Sequence, residues 1–414
     1  MRILLIHERY RQRGGEDAVA DAEAELLERN GHSVAYYSRH NDELAEHGLL
    51  ATISAGMDTV WASKSYRDMG SLVEKHRPEI AHFHNTFPMI SPSAYYACAR
   101  RGIPVVQTLH NYRLVCPGAT FLRDGRVCES CLGKGMAWRA IAHACYRGSR
   151  AASSAAVAML ATHRALGTWQ TKVDAYIALS EFARGKFVSG GLPPKRIVVK
   201  PNFVHPDPGR GTATRPPGRY GLFVGRLSKE KGLRGLLAAW KRLARSIPLF
   251  ILGDGPMRDE IAAEIRDLGL REVTLLGSVS REEVFRWMRG AGFLVCPSHW
   301  FEGCPLVILE AFACGVPVIA TGHGPTAEMV DHGRTGLHVG PGNDADLAAK
   351  VEWAWTHPAE METMRVAVRR EFEAKYSAER NYGQLLELYK RLLLRPVVGL
   401  QPSALNVMTS GDAL

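Results

Sequence analysis

Glu302 and Glu310 stand eight positions apart, and the stretch between them opens Gly303-Cys304-Pro305 and continues as an apolar run. Two carboxylates beside the start of an apolar helix suit a hydroxyl-rich ligand. Carboxylates accept hydrogen bonds from sugar hydroxyls, and the free amides of a helix N-terminus favour an anion. Acidic residues are also at home in any first helical turn, so this pair alone leaves both readings open. A second constellation, Gly225-Arg226-Leu227-Ser228-Lys229-Glu230-Lys231-Gly232, follows the apolar run Tyr220–Val224. Arg226 can grip a phosphate through two parallel hydrogen bonds, and Lys231 supplies a point charge. Cations at the start of a helix oppose its macrodipole, which favours a diphosphate ligand over two merely solvated side chains.

Weaker signals surround these two. The turns Gly253-Asp254-Gly255-Pro256 and Gly277-Ser278-Val279 each follow a strand-like run and suit the border of a nucleobase. Gly14-Gly15 follows the first apolar run and opens a helical pattern, so its amides suit a phosphate, with a plain turn as the alternative. His110 ends the run Val105–Leu109; Asn111 beside it is a weaker candidate. His82 and His84, two apart on one strand, read as structural or acceptor-side residues rather than metal ligands.

Cys116, Cys128, Cys131 and Cys145 follow the spacing C-x11-C-x2-C-x13-C. The central Cys-Glu-Ser-Cys is the tight arm common in zinc sites. Gly118, Gly125, Gly133 and Gly135 make this segment loop-like, and a structural metal orders such a loop. Zinc is the expectation, with His143 as a substitute ligand; an iron–sulfur cluster and free or redox thiols are the alternatives. Four protein ligands close a metal to catalysis. Cys98, Cys296 and Cys314 read as buried small residues.

The elements that must position these groups follow from apolar periodicity. Ile3–Ile6, Val34–Tyr37, Ile80–Phe83, Val105–Leu109, Ala175–Leu179 and Ile197–Val199 are strand-like, and helical stretches separate most of them. Tyr220–Val224, Leu249–Leu252, Val273–Leu276, Phe293–Cys296 and Val316–Ala320 repeat the rhythm. Between the two sets, residues 205–218 are rich in proline and glycine, which marks a linker. The expectation is an α/β chain of two doubly wound, Rossmann-like domains facing across a cleft, with the chemistry in loops that follow strands. The boundaries read as 1–205 for the first domain, with a cysteine-rich insert at about 113–150, then a linker at 206–218. The second domain spans 219–376, a C-terminal helix 377–395 is expected to pack back on the first domain, and 396–414 reads as a disordered tail.

With these residues in place the chain resembles the family-4 (group 1) retaining glycosyltransferases of the GT-B fold, in a subgroup with a four-cysteine insert. The resemblance rests on Gly225-Arg226-Leu227 with Lys231-Gly232, Gly253-Asp254-Gly255-Pro256, Glu302 through Glu310-Ala311-Phe312-Ala313-Cys314-Gly315-Val316-Pro317-Val318, and Glu328 with Gly336. It implies that the second domain binds the nucleotide-sugar while the first faces the acceptor. It implies that Arg226 and Lys231 hold the diphosphate of a UDP- or GDP-sugar and stabilise the leaving nucleotide. It implies that Glu310 accepts from the ribose and Glu302 from the transferred sugar. The amides of Gly303 and Cys304 would lie near sugar or phosphate, and Val279 would present backbone to the base. His110 would lie near the reacting centre. Retention is implied, with front-face attack preferred and a covalent double displacement left open. No catalytic divalent metal is expected, since Arg226 and Lys231 can stabilise the developing phosphate charge.

The 414 residues carry a net charge of +10. Residues 1–100 contribute −3, residues 101–200 contribute +11, and residues 201–414 contribute +2. Arg113, Arg123, Arg126, Lys134, Arg139, Arg147 and Arg150 place much of that surplus around the cysteines. A solvated face is one reading; the other is a surface for a lipid-linked or saccharide acceptor and an anionic membrane. No aromatic-interleaved pattern supports nucleic acid. No run reaches the ~18 apolar residues of a spanning helix; Ala151–Thr162 reads as a buried helix, and no leader pattern opens the chain. The expected place is the cytoplasm, on the inner face of the membrane. A GT-B epimerase or phosphorylase, and a non-catalytic sugar-nucleotide-binding partner, are the competing readings.

Overall fold

The short apolar runs become strands, buried on both faces at the centre of each sheet as a parallel sheet between helices requires, while the edge strands at Val34–Tyr37 and Ile197–Val199 are only partly buried. The computed structural model describes residues 1–10, 14–40, 43, 56–210 and 220–394. In the first half lie β1 (Arg2–Arg9), β2 (Ser33–His40), β3 (Ile80–Phe83), β4 (Val105–Leu109), β5 (Leu122–Arg123), β6 (Arg126–Val127), β7 (Ala175–Ala178) and β8 (Ile197–Val199). In the second lie β9 (Gly221–Val224), β10 (Leu249–Leu252), β11 (Val273–Gly277), β12 (Phe293–Cys296), β13 (Val318–Thr321) and β14 (Gly336–Val339).

The strands form two six-stranded parallel sheets, ordered β2-β1-β3-β4-β7-β8 and β11-β10-β9-β12-β13-β14. The strands β5 and β6 pair as a small antiparallel hairpin within the cysteine-rich segment. In each large sheet the chain order reverses once, at β1/β3 and at β9/β12. A crevice opens beyond the carboxyl ends of the strands at such a reversal, because the connecting helices leave on opposite faces.

The linker expected at 206–218 and the tail at 396–414 fall wholly or mostly outside the described residues. The strand expected at Val316–Ala320 begins at Val318. Val316 belongs instead to the turn closing helix Leu306–Ala313, where its amide donates to the Ala311 carbonyl oxygen at 2.8 Å. Strand β14 was not foreseen, because its four residues include His338 and present no apolar run.

Helix Ala378–Leu393 returns to the first domain. Its Leu385, Leu388, Tyr389 and Leu392 pack on Ile3, Ile80, Val106, Ala175 and Ile177, covering one face of the first sheet. Each such side chain contributes roughly 1.5–3 kcal/mol of burial before entropy is charged.

Candidate functional site

The β9 and β12 loops build one wall. After β9 the chain runs through a short turn at Lys229–Lys231 to Gly232 at φ 76°. A Cβ at Gly232 would lie 2.1 Å from the Pro297 carbonyl oxygen, so only glycine lets the β9 loop rest on the β12 loop. That contact carries Lys231 Nζ to 2.6 Å from Glu302 Oε1, and Ser298 Oγ donates to the same oxygen at 2.7 Å. Burial pushes the Glu302 carboxyl up, but Lys231 and Ser298 outweigh it and hold the group below its ordinary value. Lys231 is raised by the same pairing against the cost of its burial. The wall therefore presents an intact ion pair.

The opposite wall comes from the first domain, and the Glu302–Cys304 loop lies directly on it. A Cβ at Gly303 would stand 2.6 Å from the His110 carbonyl oxygen. Asn202 Nδ2 donates to the Cys304 carbonyl oxygen at 3.1 Å, and the Tyr112 hydroxyl reaches the Glu302 carbonyl oxygen at 3.5 Å. Gly14 precedes helix Gly15–Arg29 as its cap, and its amide donates to Asp17 Oδ2 at 2.7 Å. Gly15 faces the start of helix Leu306–Ala313, 3.5 Å from Leu306 Cδ1 when a Cβ is placed on it. His110 is only 8% exposed. Burial, with His84 and His7 nearby, pushes its imidazole well below the ordinary value, so the ring is neutral. The structure thus gathers Lys231, Glu302, Gly303, Cys304, Gly15 and His110 at one domain boundary.

Other residues singled out from sequence have different contacts. Arg226 is exposed and has no ion-pair partner among the described residues, whereas Lys231 is paired with Glu302. Glu310 does not share a cation with Glu302; its own neighbour is Arg281, 3.7 Å away. Burial raises the Glu310 carboxyl to about 7, and Arg281 offsets only part of that cost. Val279 is half-buried against the second core. Gly225, Gly253 and Gly255 let strand-end loops pack together: Gly225 N donates to Leu252 O at 3.0 Å, Gly253 N to Gly277 O at 2.7 Å, and a Cβ at Gly255 would stand 2.5 Å from Leu227 O. These glycines allow loop to lie on loop, whatever else they touch.

Ser298, Asn202, Arg281 and Glu328 escaped the sequence reading of the site. Only Glu328 stood within a motif, and nothing in its neighbours shows its role. Its carboxylate accepts from the amides of Glu181 and Phe182 at 2.9 Å each, capping helix Glu181–Ser189 of the other domain. A carboxylate at a helix N-terminus is a favourable partner for the dipole.

Cys116, Cys128, Cys131 and Cys145 are half-buried and unpaired. Burial and the neighbouring thiols raise Cys131 and Cys145, so the four do cluster. Among the described residues no three of these sulfurs lie within 4.8 Å of one another. The thiols therefore share an element without adopting tetrahedral spacing. Cys98, Cys296 and Cys314 are buried, as is Cys304.

The sequence model for Glycosyltransferase Family 4 matches residues 13–208, and that for Glycosyl transferases group 1 matches residues 212–371. The D-rhamnosyltransferase WbpZ of Pseudomonas aeruginosa is 35% identical over 160 residues, 38% of this chain and 40% of that protein. The amylovoran biosynthesis glycosyltransferase AmsK of Erwinia amylovora is 27% identical over 228 residues, 52% of this chain and 56% of that one. The matches thus span about half or less of these relatives' length. Among solved structures, Anabaena HepE in complex with UDP has a TM-score of 0.67 at 17% identity, covering 94% of this chain and all of its own. No described helix is long and apolar enough to cross a membrane. The chain carries a family 4 glycosyltransferase domain followed by a group 1 glycosyl transferase domain on the GT-B fold.

Proposed function

We propose that the chain is a retaining glycosyltransferase that moves a sugar, most simply a hexose, from a UDP- or GDP-sugar to a lipid-linked or saccharide acceptor. The product belongs to a surface polysaccharide, lipopolysaccharide or glycolipid. The carrying observation is the Lys231–Glu302 ion pair at the β9/β12 reversal, with neutral His110 across the boundary. Lys231 and the free Arg226 receive the diphosphate; Gly15, Gly303 and Cys304 offer amides to it, while the Gly14 amide, expected there from sequence, is held by Asp17. Glu310 accepts from the ribose, Glu302 and His110 face the sugar, and Gly253, Gly255 and Val279 border the base. As the anomeric C–O bond breaks, negative charge grows on the leaving phosphate beside fixed cations, which stabilise it with little reorganisation. The acceptor hydroxyl attacks from the same face, and the leaving phosphate oxygen takes its proton.

Two finer assignments belong to the same proposal. Arg126, Lys134, Arg139, Arg147 and Arg150 are exposed, and none has a carboxylate partner among the described residues. Met136 and Trp138 stand beside them at 62% and 58% exposure. That combination supports docking on an anionic membrane at the cytoplasmic face. The clustered cysteines support a structural zinc that draws the four sulfurs together. Purified chain is mixed with UDP-, GDP- and ADP-sugars and released nucleoside diphosphate is measured. One donor class should turn over, and silence across the panel would sink the enzyme reading. Metal analysis should find about one zinc per chain; folded protein without it removes that assignment.

A further inference from the structure

Beneath His110 lies a buried polar layer that the proposed donor site does not use. His84 Nδ1 is 2.9 Å from His110 Nε2. On the other side of the same ring, His84 Nε2 is 3.3 Å from Glu23 Oε1. Both of those atoms are buried and neither has an aligned hydrogen bond, so this short contact is the polar neighbour each has on that side. Glu23 Oε2 accepts from Lys200 Nζ at 2.9 Å, and Asn381 Oδ1 of the last helix holds that ammonium at 3.2 Å. His82 Nδ1 closes the surround, 3.0 Å from Glu23 Oε1 and 2.7 Å from the Tyr389 hydroxyl. Glu23, His82 and His84 converge closely enough for a cation. The Lys200 ammonium already neutralises the carboxylate, so the cluster is better described as a hydrogen-bond chain than as a metal site.

Taking the 3.3 Å contact between His84 Nε2 and the Glu23 carboxylate as a proton-bearing one leaves one arrangement of donors and acceptors. A carboxylate only accepts. Burial raises the Glu23 carboxyl, but Lys200 and His82 overcome this and keep it ionised. His84 Nε2 must therefore carry a proton. Burial, with His82 alongside, pushes the His84 imidazole down to about 4 against the pull of Glu23. The ring is neutral, and its Nδ1 is a bare acceptor. His110 Nε2 then donates to it. The neutral His110 ring is left with an unprotonated Nδ1, and the bond to His84 is the one its side chain makes among the described residues.

We propose that Glu23 and His84 are positioning residues that fix His110 in its Nε2–H tautomer, so that it offers a bare Nδ1 to a hydroxyl of the bound sugar. This rests on the proposed reading of His110 as the sugar-facing residue. A lone pair aimed at the sugar accepts a hydroxyl and is compatible with positive charge growing on the ring. The opposite tautomer would aim an N–H at that charge. The fold supplies the relay from three places: helix Gly15–Arg29, the end of β3, and the end of β4.

The test uses the full chain with 15N-labelled histidine. The wild-type protein should show His110 with a pyrrole-type Nε2 and a pyridine-type Nδ1. In Glu23→Gln the amide oxygen must face Lys200, which only donates, so the amide NH2 faces His84. The relay then reverses, His110 becomes Nδ1–H, and kcat/KM for the sugar nucleotide falls about 10-fold, the size of one misdirected hydrogen bond. An Nδ1–H His110 in the wild-type protein overturns the proposal outright, as does an unchanged tautomer in Glu23→Gln. Should that variant not fold, His84→Phe removes the acceptor, and His110 should show both tautomers; a single unchanged Nε2–H form overturns the relay. Full turnover in His110→Ala would instead defeat the site reading while leaving the spectra to decide the relay.

Discussion

The first domain keeps its charges beneath the cleft, whereas the second keeps them at its edge. Glu23, Lys200 and the His7–Asp17 pair, 2.8 Å apart, are all buried in the first. In the second, Arg226 is exposed, a half-buried Lys231 meets the buried Glu302, and the exposed Arg281 stands by a largely buried Glu310. Sheets of the same size and strand direction thus make a neutral wall and an ionic one. The difference fits a ligand that is ionic at its diphosphate and neutral at its sugar. Buried ions below a neutral histidine can set its tautomer without exposing charge to an uncharged ring.

The strongest way to break this comparison is to remove the ionic wall. Lys231→Ala or Glu302→Ala should cut donor turnover by about 10²–10³, the loss seen when one preorganised transition-state contact goes. A loss below tenfold in a nucleoside diphosphate release assay would show that the pair is structural. Glu310 sharpens the same contrast through pH. Its folded-state value of about 7 lies above the ordinary 4.5, so ionising it costs more in the folded chain than in the unfolded one. Stability from this group therefore falls as pH rises from about 4.5 to 7 and stays low above. Glu310→Gln should be more stable by about 3 kcal/mol at pH 8 and by less than ~1 kcal/mol at pH 5 in denaturant titrations. Equal effects at both pH values would mean that the carboxyl is not strained by burial.

Two smaller effects probe how the walls meet each other and their surroundings. Glu328→Gln weakens the cap that the second domain places on the first by about 1 kcal/mol. The KM for donor should rise about fivefold with kcat little changed, and a kcat effect alone would place Glu328 in the chemistry instead. Arg139→Ala should lower partition into anionic vesicles a few-fold, at up to about 1 kcal/mol per cation, and the effect should fade with salt. Hydrolysis of soluble donor should not change. Salt-indifferent binding would remove the membrane from the comparison.

Sequence made the second domain's site more legible than the first's. Lys231, Glu302 and Glu310 sit in motifs because local spacing after a strand decides where they point. The strands at Ile80–Phe83, Val105–Leu109, Leu249–Leu252 and Phe293–Cys296 were legible for the same reason: an apolar run between turn residues has one place to go. Glu23, by contrast, looks like any acidic residue on a helix. Its meaning depends on Lys200, 177 positions away, and on Asn381, further still. The Glu328 cap is illegible for a related reason, since its partners are backbone amides, which every residue carries. Ion-pair choices such as Glu310 with Arg281 likewise depend on where the neighbouring loops fold.

The return of helix Ala378–Leu393 to the first sheet has a consequence for how the molecule is made. While the chain is being synthesised, the first domain emerges with Ile3, Ile80 and Val106 uncovered on one face, because their cover is the last described helix. The same helix brings Tyr389 to His82 and Asn381 to Lys200. An N-terminal domain usually finishes folding before the next is translated, but here one face of the first sheet lacks part of its cover until the last helix arrives. Its first domain waits for its last helix, and the buried charges under His110 settle into place only when the whole second domain has left the ribosome.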